Sequence, residues 1–223
     1  MSRVRLVIFD CDGTLVDSQN VICTAMTGAF AAAGLAAPDP VKVRRVVGLS
    51  LVEAVAALLP EREEALHQEI ADFYKSQFRR LGEAAHAPEP LYPGARQALE
   101  GLAEAGFVMG VATGKGRRGL RGVLERHGLE DYFQTLQTAE DAPGKPHPQM
   151  ILQAMADVGA RPQDTIMVGD TSFDMAMARA AKTAALGVAW GYHEPDELLA
   201  HGALQVLGCY SELLPLAKQM MDH

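Results

Sequence analysis

Asp10 and Asp12 stand two residues apart at the end of the apolar run Leu6–Phe9. Alternate residues of an extended chain share a face, so the two carboxylates are expected side by side, with Cys11 turned away and without a chemical role. Crowded carboxylates repel unless a cation or a proton intervenes. The pair suits a Mg²⁺ site in which one carboxylate binds metal and attacks while the other handles a proton. Gly13 lets the backbone leave the strand sharply, and the string continues Thr14-Leu15-Val16-Asp17-Ser18. It also reads as a strand end with acidic loop residues and a helix cap at Asp17 or Ser18. Two acids alone favour that plainer reading; the whole nine-residue string is the specific signal.

Three further groups carry chemistry-bearing side chains. In Val111-Ala112-Thr113-Gly114-Lys115 a hydroxyl follows an apolar run and precedes a glycine and a helix start. Thr113 and the amides around Gly114 can hold a phosphate oxygen there, although Thr113 as a simple helix cap is the commoner outcome. Lys145 lies between prolines in Gly144-Lys145-Pro146-His147-Pro148, which limits the freedom of its loop, and Pro148 can start a helix. His147 is expected to be structural or to act only through a neighbour. In Val168-Gly169-Asp170-Thr171-Ser172-Phe173-Asp174, one acid follows a strand and the next comes four residues later at a helix start. Acids are also favoured at such a position by the helix dipole alone. Gly114, Gly116 and Gly119 fit the G-x-G-x-x-G dinucleotide fingerprint. The acid expected about 20 residues on has only Glu130 and Asp131 as candidates, and dinucleotide binding leaves the aspartates unexplained.

The elements that must position these residues alternate. Leu6–Phe9, Phe107–Ala112, Thr165–Val168 and Ala184–Val188 are short apolar runs, each followed by Gly or Asp and then helix-like sequence. Such alternation predicts an α/β fold with a doubly wound, Rossmann-like parallel sheet. Ligands in such sheets lie beyond the carboxyl ends of the strands, where Asp10, Thr113 and Asp170 fall. From Ser18 to about Pro88 the rhythm breaks. Val21, Ile22, Ala25, Met26, Ala29, Phe30 and Ala33 form one helical stripe, ending at Gly34. Leu51, Val55 and Leu59 form a second, closed by Pro60, and Ile70, Phe73, Tyr74, Phe78 and Leu81 a third, closed by Gly82. Pro38 and Pro40 are read as loop. The expected organisation is an all-helical insert, residues 17–88, within a core formed by residues 1–16 and 89–223. Pro88, Pro90 and Pro93 mark the return, Gly94–Ala105 the next core helix, and Glu212–Met221 a final one.

The nine-residue string around Asp10 resembles the first motif of the haloacid dehalogenase-like superfamily, and the layout its subfamily with a helical cap after the first strand. Phosphoglycolate phosphatase-like and β-phosphoglucomutase-like members are the nearest, and the resemblance covers essentially the whole chain. It implies a Mg²⁺-dependent phosphomonoester hydrolase working through an aspartyl-phosphate, or alternatively a phosphomutase or a pyrophosphatase. Asp10 is the implied nucleophile and Asp12 the acid and base. Thr113, Gly114 and Lys145 are the implied holders of the phosphoryl group. Asp10, the Asp12 backbone carbonyl, Asp170 and Asp174 form the implied metal set, with GDxxxD matched in full. The acid at position 12 points to phosphate esters or anhydrides rather than to halides or phosphonates. Arg44, Arg45, Gly48 and Ser50 are the expected cap contacts. An arginine there suits the carboxylate of phosphoglycolate, the leading substrate guess among small phosphorylated metabolites.

The 20 Lys and Arg against 28 Asp and Glu give a net charge of −8, which disfavours nucleic acid and anionic membranes as partners. The scattered Cys11, Cys23 and Cys209 suit neither a disulfide framework nor a zinc site. The run Leu6–Phe9 is too short for a signal or spanning segment, so a soluble cytoplasmic protein is expected. The sequence does not decide the oligomeric state.

Overall fold

The computed structural model describes residues 3–83 and 89–221; Pro88, the expected end of the insert, lies outside them. Among the described residues six parallel strands form one sheet: β1 Leu6–Phe9, β2 Val108–Thr113, β3 Thr135–Thr138, β4 Thr165–Gly169, β5 Ala184–Val188 and β6 Gln205–Leu207, in the order β3-β2-β1-β4-β5-β6. The order runs outward from β1 in both directions, so the loops after β1 and β4 leave on either side of a switch point, where such sheets place ligands.

Both faces of the sheet are covered, and the strands show why. Val7 and Phe9 pack on one face with Met109, Val111, Ile166 and Val168; Leu6 and Ile8 pack on the other with Ala112 and Met167. Alternate residues thus point to opposite apolar layers, and a continuous apolar run is what a strand covered on both faces requires. α5 Ala95–Glu104, α6 Arg117–His127 and α10 Leu213–Met221 supply the first layer, through Leu99, Leu120 and Leu213 among others. α7 Gln149–Val158, α8 Ser172–Ala180 and α9 Pro195–His201 supply the second, through Met150, Met175 and Leu198.

Between β1 and α5 the described residues form four helices: α1 Gln19–Ala32, α2 Pro40–Arg45, α3 Leu51–Leu58 and α4 Glu64–Glu83. They enclose a separate apolar cluster in which Met26, Phe30, Val43, Val55 and Ile70 are buried. The chain leaves and re-enters the core as a narrow pair: Asp17 N–H donates to the Pro90 carbonyl (2.8 Å) and Tyr92 N–H to that of Leu15 (3.0 Å).

Three sequence expectations change. Pro40 is not loop but the first residue of α2; Asp39 caps that helix by accepting from Val41 N–H at 2.8 Å, and proline at the first position costs no hydrogen bond. Gly82 does not close α4, which runs to Glu83. Two strands, β3 and β6, join the sheet beyond those that the apolar runs mark. β3 reads Thr-Leu-Gln-Thr, and its polar side chains are buried because α7 brings them a partner: Thr135 and Gln137 both donate to Asp157 Oδ2, at 2.6 and 2.7 Å. No helix among the described residues is long and apolar enough to cross a membrane.

Candidate active site

The carboxyl ends of β1, β2 and β4 meet at one point. β1 lies between its two partners in register, with Phe9 opposite Val111 and Val168. Asp10 follows immediately, and its N–H donates to the Val168 carbonyl at 2.9 Å. Thr113 ends β2, and Asp170 is the first residue past β4.

Asp10, Asp170 and Asp174 are almost fully buried, and their carboxylate oxygens lie within 4.8 Å of one another. Lys145 is completely buried and reaches into this group, with Nζ 2.8 Å from Asp10 Oδ2 and 2.7 Å from Asp174 Oδ1. The remaining oxygens are positioned locally. Cys11 N–H donates to Asp10 Oδ1 (2.6 Å), while Thr14 Oγ1 and Tyr192 N–H donate to the two oxygens of Asp170 (2.8 and 2.9 Å). Thr171 donates its N–H and its hydroxyl to Asp174 Oδ2, at 3.1 and 2.7 Å. Asp174 is therefore both a cap of α8 and a member of the cluster; the two readings of that residue are not exclusive. Gly13 turns the chain over Asp170 at φ +83°, and a Cβ there would stand 2.2 Å from Asp170 Oδ2.

Three carboxylates around one ammonium leave an excess of negative charge out of water. Burial raises the Asp10 pKa most; Lys145 opposes this and Asp174 adds to it, bringing the carboxyl to about 7. Burial likewise lifts Asp170 well above the carboxylate range, with Asp10 and Asp174 adding to it. Burial disfavours the Lys145 ammonium, but Asp10 and Asp174 outweigh it and raise its pKa. This donor set, three hard oxygens with unbalanced charge and ion-pair oxygens at Asp10 and Asp174 that lack directed hydrogen bonds, fits a hard divalent cation.

The raised Asp10 pKa has a consequence for stability. Below the ordinary value of 3.8 this carboxyl is protonated folded and unfolded alike, so it contributes nothing. Between 3.8 and about 7 the folded state binds more protons than the unfolded, so stability falls as pH rises, and above that window the full cost is present. In EDTA, thermal unfolding across this window should therefore show Asp10→Asn losing less stability with pH than the wild-type chain. Equal slopes would contradict the buried-carboxylate account.

Above the cluster opens a cavity of about 720 Å³, lined at its floor by Asp10, Asp12, Thr113, Gly114 and Lys115 and walled by the helical insert, including Met26, Leu51 and Phe78. Thr113 Oγ1 accepts from Lys115 N–H (3.1 Å), not as a helix cap, since α6 begins after Gly116. The loop 47–50 closes over this floor: a Cβ at Gly114 would stand 3.1 Å from the Gly48 carbonyl, and one at Gly144 3.0 Å from Ser50. Gly48 and Ser50 therefore sit at the site, Ser50 while capping α3 with Glu53. The dinucleotide-like glycines answer to these contacts. Gly114 admits the 47–50 loop, and Gly119 admits the stem of Lys115, whose Cγ lies 3.0 Å from where a Cβ would stand.

The Asp12 carboxylate lies outside the three-acid cluster; its Oδ1 is 3.0 Å from Lys115 Nζ. One placement differs from the sequence reading: Arg45 does not line the large cavity. Its guanidinium pairs with Glu197 at 2.6 Å, and with Arg44 it borders a separate depression of about 250 Å³ beside Tyr92, Trp190 and Tyr192. The cause is helical phase: Val43 faces the cavity from α2, and at ~100° per residue the next two side chains turn away. The cavity's cations are instead Lys75, Arg79, Lys115, Arg118 and Arg126. The pairing of Lys115 with Glu89 escapes a reading of the sequence, because a lysine after a glycine loop and an acid 26 residues earlier carry no shared signal. Cys11 is buried in the core layer, with its thiol pKa pushed well up by burial and the nearby Asp12. His147 is exposed and accepts from Gln149 N–H at 3.3 Å.

The sequence pattern of haloacid dehalogenase-like hydrolases matches residues 7–188. The chain belongs to that family. A relative from Dickeya dadantii described as a probable phosphatase, IndB, is 36% identical over 97% of this chain and 94% of its own length. A Vibrio vulnificus protein named phosphoglycolate phosphatase is 29% identical, covering 89% of each chain. A crystallised hydrolase from Pseudomonas syringae superposes with a TM-score of 0.84 at 26% identity, over 98% of this chain and 99% of the other. Within the haloacid dehalogenase-like hydrolases this chain is a phosphatase.

Proposed function

We propose that this phosphatase hydrolyses small phosphomonoesters through a phosphorylated Asp10. The observation that carries the reading is a buried carboxylate at the floor of a cavity, paired with Lys145 at 2.8 Å and with two further acids within 4.8 Å. An oxygen of Asp10 attacks phosphorus while the ester bond breaks in line, and Asp12 gives its proton to the departing oxygen. Asp12 then takes a proton from the water that splits the acyl phosphate, which returns Asp10 and releases phosphate. Lys145, Thr113 and the Gly114 amide hold the phosphoryl oxygens and stabilise the charge that builds on them. Asp10, Asp170, Asp174 and the Asp12 carbonyl are the residues to hold Mg²⁺. When bound, the ion supplies positive charge to the phosphoryl group and offsets the repulsion among the acids.

Residues 17–88 act in this reading as a cap whose loop 47–50 keeps water from the reacting atoms. Phosphoglycolate is the first substrate to test, on the strength of the Vibrio vulnificus relative. The cavity arginines Arg79 and Arg118 take the carboxylate-binding role that Arg45 is turned away from.

The test is release of inorganic phosphate from phosphoglycolate, glycerol, pentose and hexose phosphates, nucleotides and pyrophosphate, with Mg²⁺ and with EDTA. Metal-dependent release is expected, and EDTA should lower the rate at least ~100-fold. No release from any compound would move the reading to a phosphomutase. Mg²⁺ should also raise the unfolding midpoint more at about pH 8 than at about pH 5, because the ligands are ionised at the higher pH.

A further inference from the structure

The steps above leave one buried cation without a task. Lys115 is 9% exposed. Its Nζ lies 3.0 Å from Asp12 Oδ1 and 2.9 Å from Glu89 Oε1, and the ring of Phe78, from α4, covers it at 4.6 Å. Glu89 is held in turn: Arg126 pairs with its other oxygen at 3.1 Å, and His127 Nε2 meets its carbonyl at 2.8 Å. A lysine placed to seize an anionic substrate would keep its ammonium toward the cavity. This one is spent on two carboxylates and capped by an aromatic ring. Asp12 Oδ1 is sealed from solvent and has the Lys115 contact as its ion-pair partner, while Asp12 still lines the cavity.

We infer that Lys115, steadied by Glu89, is the positioning residue for Asp12: it fixes one carboxylate oxygen so that the other meets the leaving oxygen of the substrate. The inference rests on the reading of Asp12 as the proton donor. As the bond from Asp10 to phosphorus forms, the electron pair of the breaking ester bond stays with the leaving oxygen. That oxygen takes the Asp12 proton, and the new Asp12 carboxylate is left against the Lys115 ammonium. Phe78 closes this arrangement from the helical insert, so that closure over substrate and orientation of the acid are coupled through one side chain.

The test compares kcat/KM, which reports steps up to loss of the leaving group, for two esters. One is the preferred aliphatic phosphate of the panel above; the other is p-nitrophenyl phosphate, whose leaving group needs no proton. Lys115→Met should lose roughly 100-fold on the aliphatic ester and less than about 5-fold on p-nitrophenyl phosphate, as orientation of a general acid predicts. Asp12→Asn should show the same preference, and adding Lys115→Met to it should cost less than about 2-fold more, because both act through one group. Glu89→Gln should show the preference at smaller amplitude, and it decides the matter if Lys115→Met does not fold. Equal losses on both esters carried in KM, or an undiminished Lys115→Met effect in the Asp12→Asn background, would overturn the inference and make Lys115 a substrate contact. An Asp12→Asn variant without the preference would instead overturn the proton-donor reading itself, and this inference with it.

Discussion

Asp10→Asn should reduce phosphate release by at least ~10⁴-fold with every ester that the wild-type chain accepts, the scale at which removal of a covalent nucleophile is felt. The amide keeps the volume and can still accept from Cys11 N–H, which now holds Asp10 Oδ1 at 2.6 Å. It lacks the charge to attack phosphorus. The same change removes one of three crowded carboxylates, whose burial and mutual repulsion lift the Asp10 pKa to about 7. In EDTA above that pH, the variant should therefore be as stable as the wild-type chain, or more so. The two readouts together separate chemistry from folding: a dead enzyme with an undiminished unfolding midpoint is expected. Turnover above about 1% of wild type would remove Asp10 as nucleophile, since general effects of a neighbouring group seldom exceed ~10²–10⁴-fold.

Lys145→Met should act on both readouts at once. Lys145 is completely buried, and its Nζ is the ammonium that pairs with Asp10 and Asp174, at 2.8 and 2.7 Å. Removing one partner of a buried ion pair costs about 3–5 kcal/mol, because the charges left behind have neither water nor a counter-ion. For a chain of 223 residues that corresponds to a fall in midpoint of roughly 10 °C in EDTA. Adding Asp174→Asn, which removes one of the stranded charges, should recover part of the loss. Activity should fall ~10²–10³-fold through the lost charge on the phosphoryl oxygens. A midpoint within about a degree of the wild-type value would show that the acids share protons rather than rely on the lysine, and would break the electrostatic account of the site.

The strand ends and the acids that follow them are legible along the chain. A strand covered on both faces is apolar nearly throughout, so Leu6–Phe9, Phe107–Ala112 and Thr165–Val168 announce themselves, and a polar residue at the end of such a run stands at the sheet's carboxyl edge. That places Asp10, Thr113 and Asp170 together before any coordinates, and the parallel order of the sheet follows from the alternation of strands and helices. The helical character of the insert is equally legible from its apolar stripes. The edge strands β3 and β6 are not, because an edge strand needs apolar side chains at fewer positions, and the polar ones in β3 depend on Asp157 of α7.

Which charges meet is settled only in three dimensions. Arg44 and Arg45 look like cap contacts along the chain, yet burial of Val43 fixes the phase of α2 and turns both away. Asp12 stands beside Asp10 along the chain, and only the fold shows that its carboxylate meets Lys115. Glu89, Lys115, Arg126 and Phe78 lie far enough apart in sequence that no local period links them. Glu89 meets Lys115 and Arg126 through the folding of the core, and Phe78 joins them where the insert packs against it. Local sequence records which face a residue must hide; it does not record the partner that waits there.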